Sequence, residues 1–460
     1  MSSRRFSREV AAHAFSWLLL GNAAGLLMAA LLLAPGLGGL LGALSYGRWA
    51  ALHIDSQIYG FCSLPLLGLL LRFYSPAGEA GRLSFLAIRT WSAALAFLAV
   101  SILSGHSSGK IFAEWTGAAR WVFAGALALA TAAVLAAFFA RRRLAAPSRP
   151  ASRLAEAARA IGLLLLVPAP LAMIWAPSPR AYPPIDTAGG GATGGNTLAS
   201  VLGVGLVLAL SPYLCGLLPR DGGRFARRVF AGLGAHFLLL ALLSVAGPGD
   251  RSNAEPVQIA AMASALIWLP ILWRHLRLFP WPAASRLWSL AMAGWSLVLA
   301  ATGLVAGLPG MAVKIKYTNF LVGHVHAAAA GFLTAWLFVL FEMAARQGGE
   351  TSSPAADRKA FFGWQLGCLL QVLALLMVGG AEGAAPEVLW SGAPVVAAGY
   401  ALRLLGGALM TFSSWRWLRA ALLMAGSPAE EFADVPSEFP FPLAPARPAD
   451  GRLLPLGGPV

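Results

Sequence analysis

The sequence predicts an all-α, polytopic membrane bundle of about twelve transmembrane helices. Hydrophobic residues make up 58% of the 460 residues and charged residues only 12%, and the mean hydropathy is +0.70. A water-soluble domain of this length does not have such a balance. Apolar segments of spanning length lie near residues 11–33, 49–73, 83–104, 117–140, 159–176, 196–218, 225–247, 257–279, 284–307, 318–343, 361–383 and 392–424.

The positive charge of the chain follows its topology. A formal net charge of +15 invites a nucleic-acid partner, but the basic residues concentrate in alternate connections, as the positive-inside rule requires. We therefore expect membrane lipid as the surroundings, no nucleic acid, and a multi-pass protein of the inner (plasma) membrane with both termini in the cytoplasm. The even-numbered connections carry Arg72, Arg82, Arg141, Arg142, Arg143, Arg149, Arg153, Arg220, Arg224, Arg227, Arg228, Arg274, Arg277, Arg286, Arg346, Arg358 and Lys359.

Short connections leave little room for extramembrane domains. We expect one transmembrane domain over residues 1–425 and a disordered, proline-rich cytoplasmic tail over 426–460. The basic start of the chain precedes no evident cleavage site, so no cleavable signal peptide is expected. No internal repeat strong enough for a transporter-type duplication is evident. The isolated cysteines form no CxxC motif, which favours apolar packing roles; they are Cys62, Cys215 and Cys368.

The segment His324-Val325-His326 is the strongest chemical signal in the chain. Residues two positions apart on a helix point about 200° apart, so the two imidazoles face different neighbours. With the predicted orientation, these histidines and His53 fall at similar depth in the outer part of the bilayer. Ionisable side chains are costly there and usually functional. Neutral imidazole is an axial ligand of haem iron, so two ligands from separate helices would sandwich one haem, and the third would hold another.

The remaining histidines do not share this depth. His13 and His275 lie near predicted cytoplasmic ends, His106 lies at the outer end of the third span, and His236 lies in the middle of the seventh. A single histidine in a span is more often a hydrogen-bonded packing residue than a ligand.

Three patches of sequence are similar to subunit I of the haem-copper oxidase superfamily, most of all to the cbb-type cytochrome c oxidases and their nitric-oxide reductase relatives. Residues 309–326 contain PGMAVK, YT and VGHVH, residues 46–61 contain YGR, LH and GF, and residues 403–407 read RLLGG. Twelve spans form the core architecture of that family, so the resemblance implies an oxidase subunit I-like bundle.

The resemblance also implies roles for individual residues. His53 and His326 would be the axial ligands of a low-spin haem b, and His324 the proximal ligand of a second, high-spin haem b. Arg403 lies inside the last span, where an unpaired arginine is costly. Its expected partner is a haem propionate, a backbone carbonyl or Asp55.

The chain departs from the family at the copper site. The first copper histidine would stand at Gly195, the adjacent pair at Gly249 and Asp250, and the redox-active tyrosine near Leu243. Copper prefers imidazole nitrogen, which glycine lacks, and His236 supplies one ligand at most. The resemblance therefore implies haem ligands without a copper site, and no residue is assigned as catalytic.

Three functions remain open. The first is a b-type haem protein that transfers electrons in respiration or binds a gas at a copper-less haem, with other respiratory subunits or a cytochrome c-type donor as partners. The second is a working terminal oxidase, with cytochrome-c oxidase activity, or a nitric-oxide reductase, for which only Asp250 and Glu255 in an external loop offer carboxylates. The third is an unrelated twelve-span transporter.

Overall fold

The computed structural model describes residues 3–75, 81–144, 163–164, 166–178, 194–246, 255–308, 310–347 and 353–426. Within these ranges the regular elements are helices, with one isolated β-bridge between Ser107 and Trp115. The predicted all-α membrane bundle is confirmed. Eleven described helices are long and apolar enough to span a membrane: α1 (Arg4–Leu33), α2 (Tyr46–Tyr74), α3 (Arg82–Leu103), α4 (Gly117–Arg141), α5 (Gly194–Leu214), α6 (Arg224–Leu243), α7 (Pro256–Arg277), α8 (Ala283–Gly307), α9 (Asn319–Arg346), α10 (Arg358–Ala384) and α11 (Pro394–Ala425).

Some predicted features fall outside the described residues. Residues 159–162 and 165 of the predicted span at 159–176 do, and its described part contains a short helix, Ala169–Trp175. The positions Arg149, Arg153, Gly249 and Asp250, most of the loop at 177–195 and the tail from 427 onward also lie outside the described ranges.

Two of the spanning helices contain a π-helical segment just after their histidines. In α2 the π segment is Ser56–Cys62, and in α9 it is Ala327–Leu333. Each segment is followed by a hydroxyl side chain that donates to the carbonyl five residues earlier: Ser63 to Ile58 and Thr334 to Ala329, both at 2.8 Å. Such segments are rare and frequently accompany functional sites.

The two π segments are packed by matching tryptophans from the preceding helices. Trp17 of α1 lies against Gly60, and Trp295 of α8 lies against Gly331; a Cβ at either glycine would overlap the indole ring. Only glycine permits this close approach, which lets the helices pack tightly.

Matching tryptophans also come from the helices that follow. Trp91 of α3 donates its indole N–H to the Tyr59 carbonyl at 2.7 Å, and Trp364 of α10 donates to the Ala330 carbonyl at 2.9 Å. The next residue along each helix accepts from the first tryptophan: Ser92 from Trp17 at 3.1 Å, and Gln365 from Trp295 at 2.7 Å.

Helices α1–α2–α3 and α8–α9–α10 are therefore two copies of one three-helix unit, which we call the tryptophan-clamped unit. In each copy a histidine is followed by a glycine seven residues later and a phenylalanine eight residues later, within residues 53–61 of the first copy and 324–332 of the second. The sequence alone does not reveal this repeat, because the contacts that define it come from three separate helices and few residue identities mark it.

Polar side chains connect α1, α2 and α11 inside the bundle. The Gln57 side chain donates to the side-chain oxygen of Asn22 at 2.9 Å, and the Asn22 side-chain nitrogen donates to the Ser414 hydroxyl at 2.6 Å. The last two helices also approach closely, since a Cβ at Gly367 would lie 2.7 Å from the Gly406 carbonyl oxygen. The two hydrogen bonds of Asn22 position α1 against α2 and α11, and α1 contributes to the site described next.

Candidate functional site

The imidazoles of His53 and His326 lie next to each other, although α2 and α9 are far apart in sequence. Their ring centroids are 6.1 Å apart, and the ring planes are inclined by only 18°. Both residues are half-buried. The structure thus brings together two of the three histidines that the sequence singled out.

Each ring of this pair is tied through its Nδ1 atom to a backbone carbonyl. His53 Nδ1 lies 2.7 Å from the Gly21 oxygen of α1, and His326 Nδ1 lies 2.8 Å from the Val322 oxygen of its own helix. A carbonyl can only accept, so both Nδ1 atoms are the protonated donors. Both Nε2 atoms then carry a lone pair, which is the form of histidine that binds metals.

The spacing of the rings suits a metal ion held between them. Metal–imidazole bonds are about 2.0 Å long, so two imidazoles on opposite sides of one metal have centroids about 6.3 Å apart. The His53–His326 separation of 6.1 Å is close to that value. A haem with two axial imidazoles fits this donor set.

His324 lies on the other side of α9 and contacts α8. Its Nδ1 is 2.8 Å from the Thr302 hydroxyl oxygen. That hydroxyl donates to the Val298 carbonyl at 2.8 Å, with the Leu299 carbonyl at 3.2 Å, so it accepts from His324. The third imidazole therefore has the same tautomer as the other two, with Nε2 left unprotonated.

A glycine lies against the edge of two of these rings. A Cβ at Gly25 would be 3.0 Å from both Cε1 and Nδ1 of His53, and a Cβ at Gly303 would be 3.1 Å from Cε1 of His324. The glycines are counterparts in the two tryptophan-clamped units, each eight residues after Trp17 or Trp295. Sequence reasoning missed both glycines, and the shared Trp-to-Gly spacing is the signal that identifies them.

Arg403 is buried near the paired imidazoles. It is 6% exposed, interacts electrostatically with both His53 and His326, and donates from Nη1 to the Asn319 side-chain oxygen at 3.2 Å. Asn319 donates in turn to Glu382, from its backbone at 2.8 Å and its side chain at 2.9 Å. The Nε atom of Arg403 has no hydrogen-bond partner in the part of the chain that the structure describes. Its protein partner is thus Asn319, and neither Asp55 nor a backbone carbonyl.

Asp55 lies inside the bundle, not in an outer loop. It is 2% exposed, and neither of its carboxyl oxygens has a hydrogen-bond partner among the described residues. Its charge interacts with Glu114, which itself accepts a hydrogen bond from Ser107.

The other histidines differ from the three described above. Both ring nitrogens of His236 are occupied, one by the Ser264 hydroxyl and the other by the indole of Trp268, each at 3.1 Å. His275 is fully buried, with Nε2 3.1 Å from the Ala209 carbonyl. His106 is exposed and His13 is half-buried.

The positions of the expected copper ligands are partly described. The backbone N–H of Gly195 donates to the Gln258 side chain at 2.8 Å, and Leu243 lies on the bundle surface, 37% exposed. Among the described residues no group of three or more His, Cys, Asp or Glu side chains is placed to hold a metal ion. The three cysteines are buried, and they form no disulfide bond within the described part of the chain.

Comparison with known proteins shows similarity in structure only. No protein-family model matches the chain, and no curated protein matches it in sequence. Among solved structures, 42 chains match. One is a heme-copper terminal oxidase dimer determined by cryo-EM, with a TM-score of 0.51 and 13% identity over 95% of this chain and 88% of that chain. At this identity the likeness shows the fold, which is that of a haem-copper terminal oxidase chain.

Proposed function

We propose that this protein is an integral membrane b-type haem protein. His53 and His326 would together hold the iron of a low-spin haem b, and His324 would hold the iron of a second, high-spin haem b. The observation that carries the proposal is the near-parallel pairing of the His53 and His326 rings at 6.1 Å. Their Nδ1 tethers, which leave Nε2 as the free ligand atom, support it.

The protein's own residues would hold and orient these groups. A six-coordinate haem exchanges electrons, whereas a five-coordinate haem leaves one position open for a small gas. Arg403 supplies a buried positive charge beside the ring pair and has a free Nε donor, which suits a haem propionate. The apolar surroundings of the ring pair favour neutral imidazole.

The proposed role is electron transfer or gas binding in a respiratory assembly of the plasma membrane. The oxidase-like fold supports this setting, with other respiratory subunits or a c-type cytochrome as electron donor. Glycine and aspartate at positions 195, 249 and 250 argue against a bound copper ion, because copper favours imidazole ligands. Both termini are proposed to be cytoplasmic.

The test is a reduced-minus-oxidised optical spectrum of the purified protein, repeated with carbon monoxide, with haem and metals counted in parallel. We expect two haems b per chain, one of which binds carbon monoxide, and no copper. His53→Ala and His326→Ala should each remove the low-spin signal, and His324→Ala should remove the carbon monoxide response. His236→Ala is the matched control, because His236 is also a span histidine but both of its nitrogens are occupied.

Three results would contradict the proposal in different ways. Purified protein without haem would refute the proposed function and leave a transporter as the remaining candidate. One copper per chain would identify a working oxidase, and one non-haem iron per chain a nitric-oxide reductase. Loss of haem in His236→Ala, with retention in His53→Ala, would show that the wrong histidines are assigned.

A further inference from the structure

We infer that Thr302 is the positioning residue of His324, and that its hydroxyl fixes which ring nitrogen is available as a ligand. The inference deepens the proposed function and rests on it where it concerns haem. The observation behind it is a two-step hydrogen-bond chain in α8 and α9, from His324 Nδ1 to Thr302 and from Thr302 to Val298, both at 2.8 Å.

The direction of this chain is determined by proton count. The hydroxyl of Thr302 has one proton, which it gives to a carbonyl of the preceding helical turn. Its lone pairs remain, so the proton in the contact with His324 must come from the imidazole Nδ1. Thr302 thereby selects the tautomer of His324 in which Nε2 is unprotonated.

Burial makes this contact difficult to replace. Thr302 is only 7% exposed, so bulk water cannot take the place of a lost hydroxyl. Gly303 lies beside the same ring, where a Cβ would be 3.1 Å from Cε1. The ring is therefore held by a hydrogen bond on one side and bounded by backbone next to it, which limits its rotation about the Cβ–Cγ bond.

The repeat shows that this arrangement is particular to one of the two units. In the first tryptophan-clamped unit the counterpart of Thr302 is Ala24, seven residues after Trp17. The counterpart ring, His53, is tied instead to the Gly21 backbone oxygen. Of the three imidazoles, only His324 depends on a side chain for its tether.

This dependence has a chemical consequence. An acceptor on Nδ1–H increases the basicity of the opposite nitrogen, and loss of such an acceptor typically weakens metal affinity about 10- to 100-fold. The hydroxyl of Thr302 is a neutral, moderate acceptor. It should make His324 a firmer iron ligand than an untethered imidazole.

The test compares Thr302→Val, which keeps the side-chain shape without the hydroxyl, with Thr302→Ser, which keeps the hydroxyl. Thr131→Val is the control, because Thr131 is also buried in a spanning helix, at 8% exposure, but far along the chain in α4. The readouts are the iron–histidine stretching band in resonance Raman spectra of the reduced protein, and the retention of the carbon monoxide-binding haem.

We expect Thr302→Val to lower the stretching frequency and to weaken retention of that haem about 10- to 100-fold, while the low-spin spectrum stays as in the wild type. Thr302→Ser and Thr131→Val should resemble the wild type. A wild-type Raman band in Thr302→Val would overturn the inference. Equal perturbation in the Ser and Val variants, or loss of both haems in Thr302→Val, would also overturn it by indicating a packing role.

A haem-free wild-type protein would refute the proposed function without deciding the role of Thr302. In that case ¹⁵N spectra of histidine-labelled protein decide it. The inference then requires that one histidine change its tautomer in Thr302→Val and in no other variant, and an unchanged spectrum would overturn it.

Discussion

Single residues determine whether an imidazole can act as a ligand. The sequence singled out His53, His324 and His326 as candidate ligands, because ionisable residues in spans are rare and the predicted depths of these three agree. It could not supply their tethers. The Gly21 oxygen and the Thr302 hydroxyl come from α1 and α8, and no local pattern marks a backbone oxygen as an acceptor for a distant ring.

Gly25 provides a test at this scale. In Gly25→Ala the new methyl would lie 3.0 Å from His53, which is too close for an unstrained contact, so the ring must turn away. We expect a weakened low-spin haem signal with an intact carbon monoxide response. Gly125→Ala is the control, because a Cβ there meets nothing within 4 Å. Equal spectra for the two variants would refute the predicted steric effect.

Arg403 provides a second test, which is electrostatic. A positive charge near a haem favours its reduced form, so Arg403→Gln should lower the midpoint potential of the low-spin haem. Arg416→Gln is the control, because that arginine lies on the same helix but pairs with Asp357 at 2.8 Å. A redox titration that gives an unchanged potential for Arg403→Gln would place the charge outside the site.

The helices determine how the three histidines are placed relative to one another. The spans are evident from hydropathy, since about 20 apolar residues are needed to cross a bilayer. The π segments in α2 and α9 are not evident, because the extra residue in a π-helical turn does not change the pattern of a sequence in which nearly every residue is apolar. The segments are stabilised by tryptophans from neighbouring helices, and those contacts appear only in three dimensions.

A tryptophan substitution tests this stabilisation. Trp364→Phe removes the indole donor to the Ala330 carbonyl, and a buried group left without its partner costs about 1–3 kcal/mol. We expect a lower free energy of unfolding, measured by denaturation in mixed micelles. Trp121→Phe should change little, because Trp121 is 58% exposed. Equal free energies of unfolding for the two variants would show that the hydrogen bond from the Trp364 indole contributes nothing to stability.

At the scale of the whole molecule, the helical bundle and its orientation in the membrane are predicted from different features of the sequence. Composition alone predicted the all-α bundle, and eleven spanning helices among the described residues confirm it. The predicted orientation depends on the basic residues of alternate connections. Similarity between the three-helix units could not be read from the sequence, because a few glycines, tryptophans and hydroxyls at wide spacing carry it.

Cysteine labelling tests the orientation. The native cysteines are buried, so they should give little background labelling. A membrane-impermeant maleimide added to intact cells should label Trp390→Cys, in a connection predicted to be external and 81% exposed. It should label Arg220→Cys only after the cells are opened. The reverse pattern would place both termini outside the cytoplasm.

The repeat also bears on ancestry. Aligned on Gly60 and Gly331, the two units pair His53 with His324 and leave His326 opposite Asp55. If the units descend from one duplicated segment, a single histidine per copy was the shared starting point. The pairing of His53 with His326 would then have arisen after the duplication. A single substitution that introduced the second histidine of one copy, at position 326, would have been enough to create it.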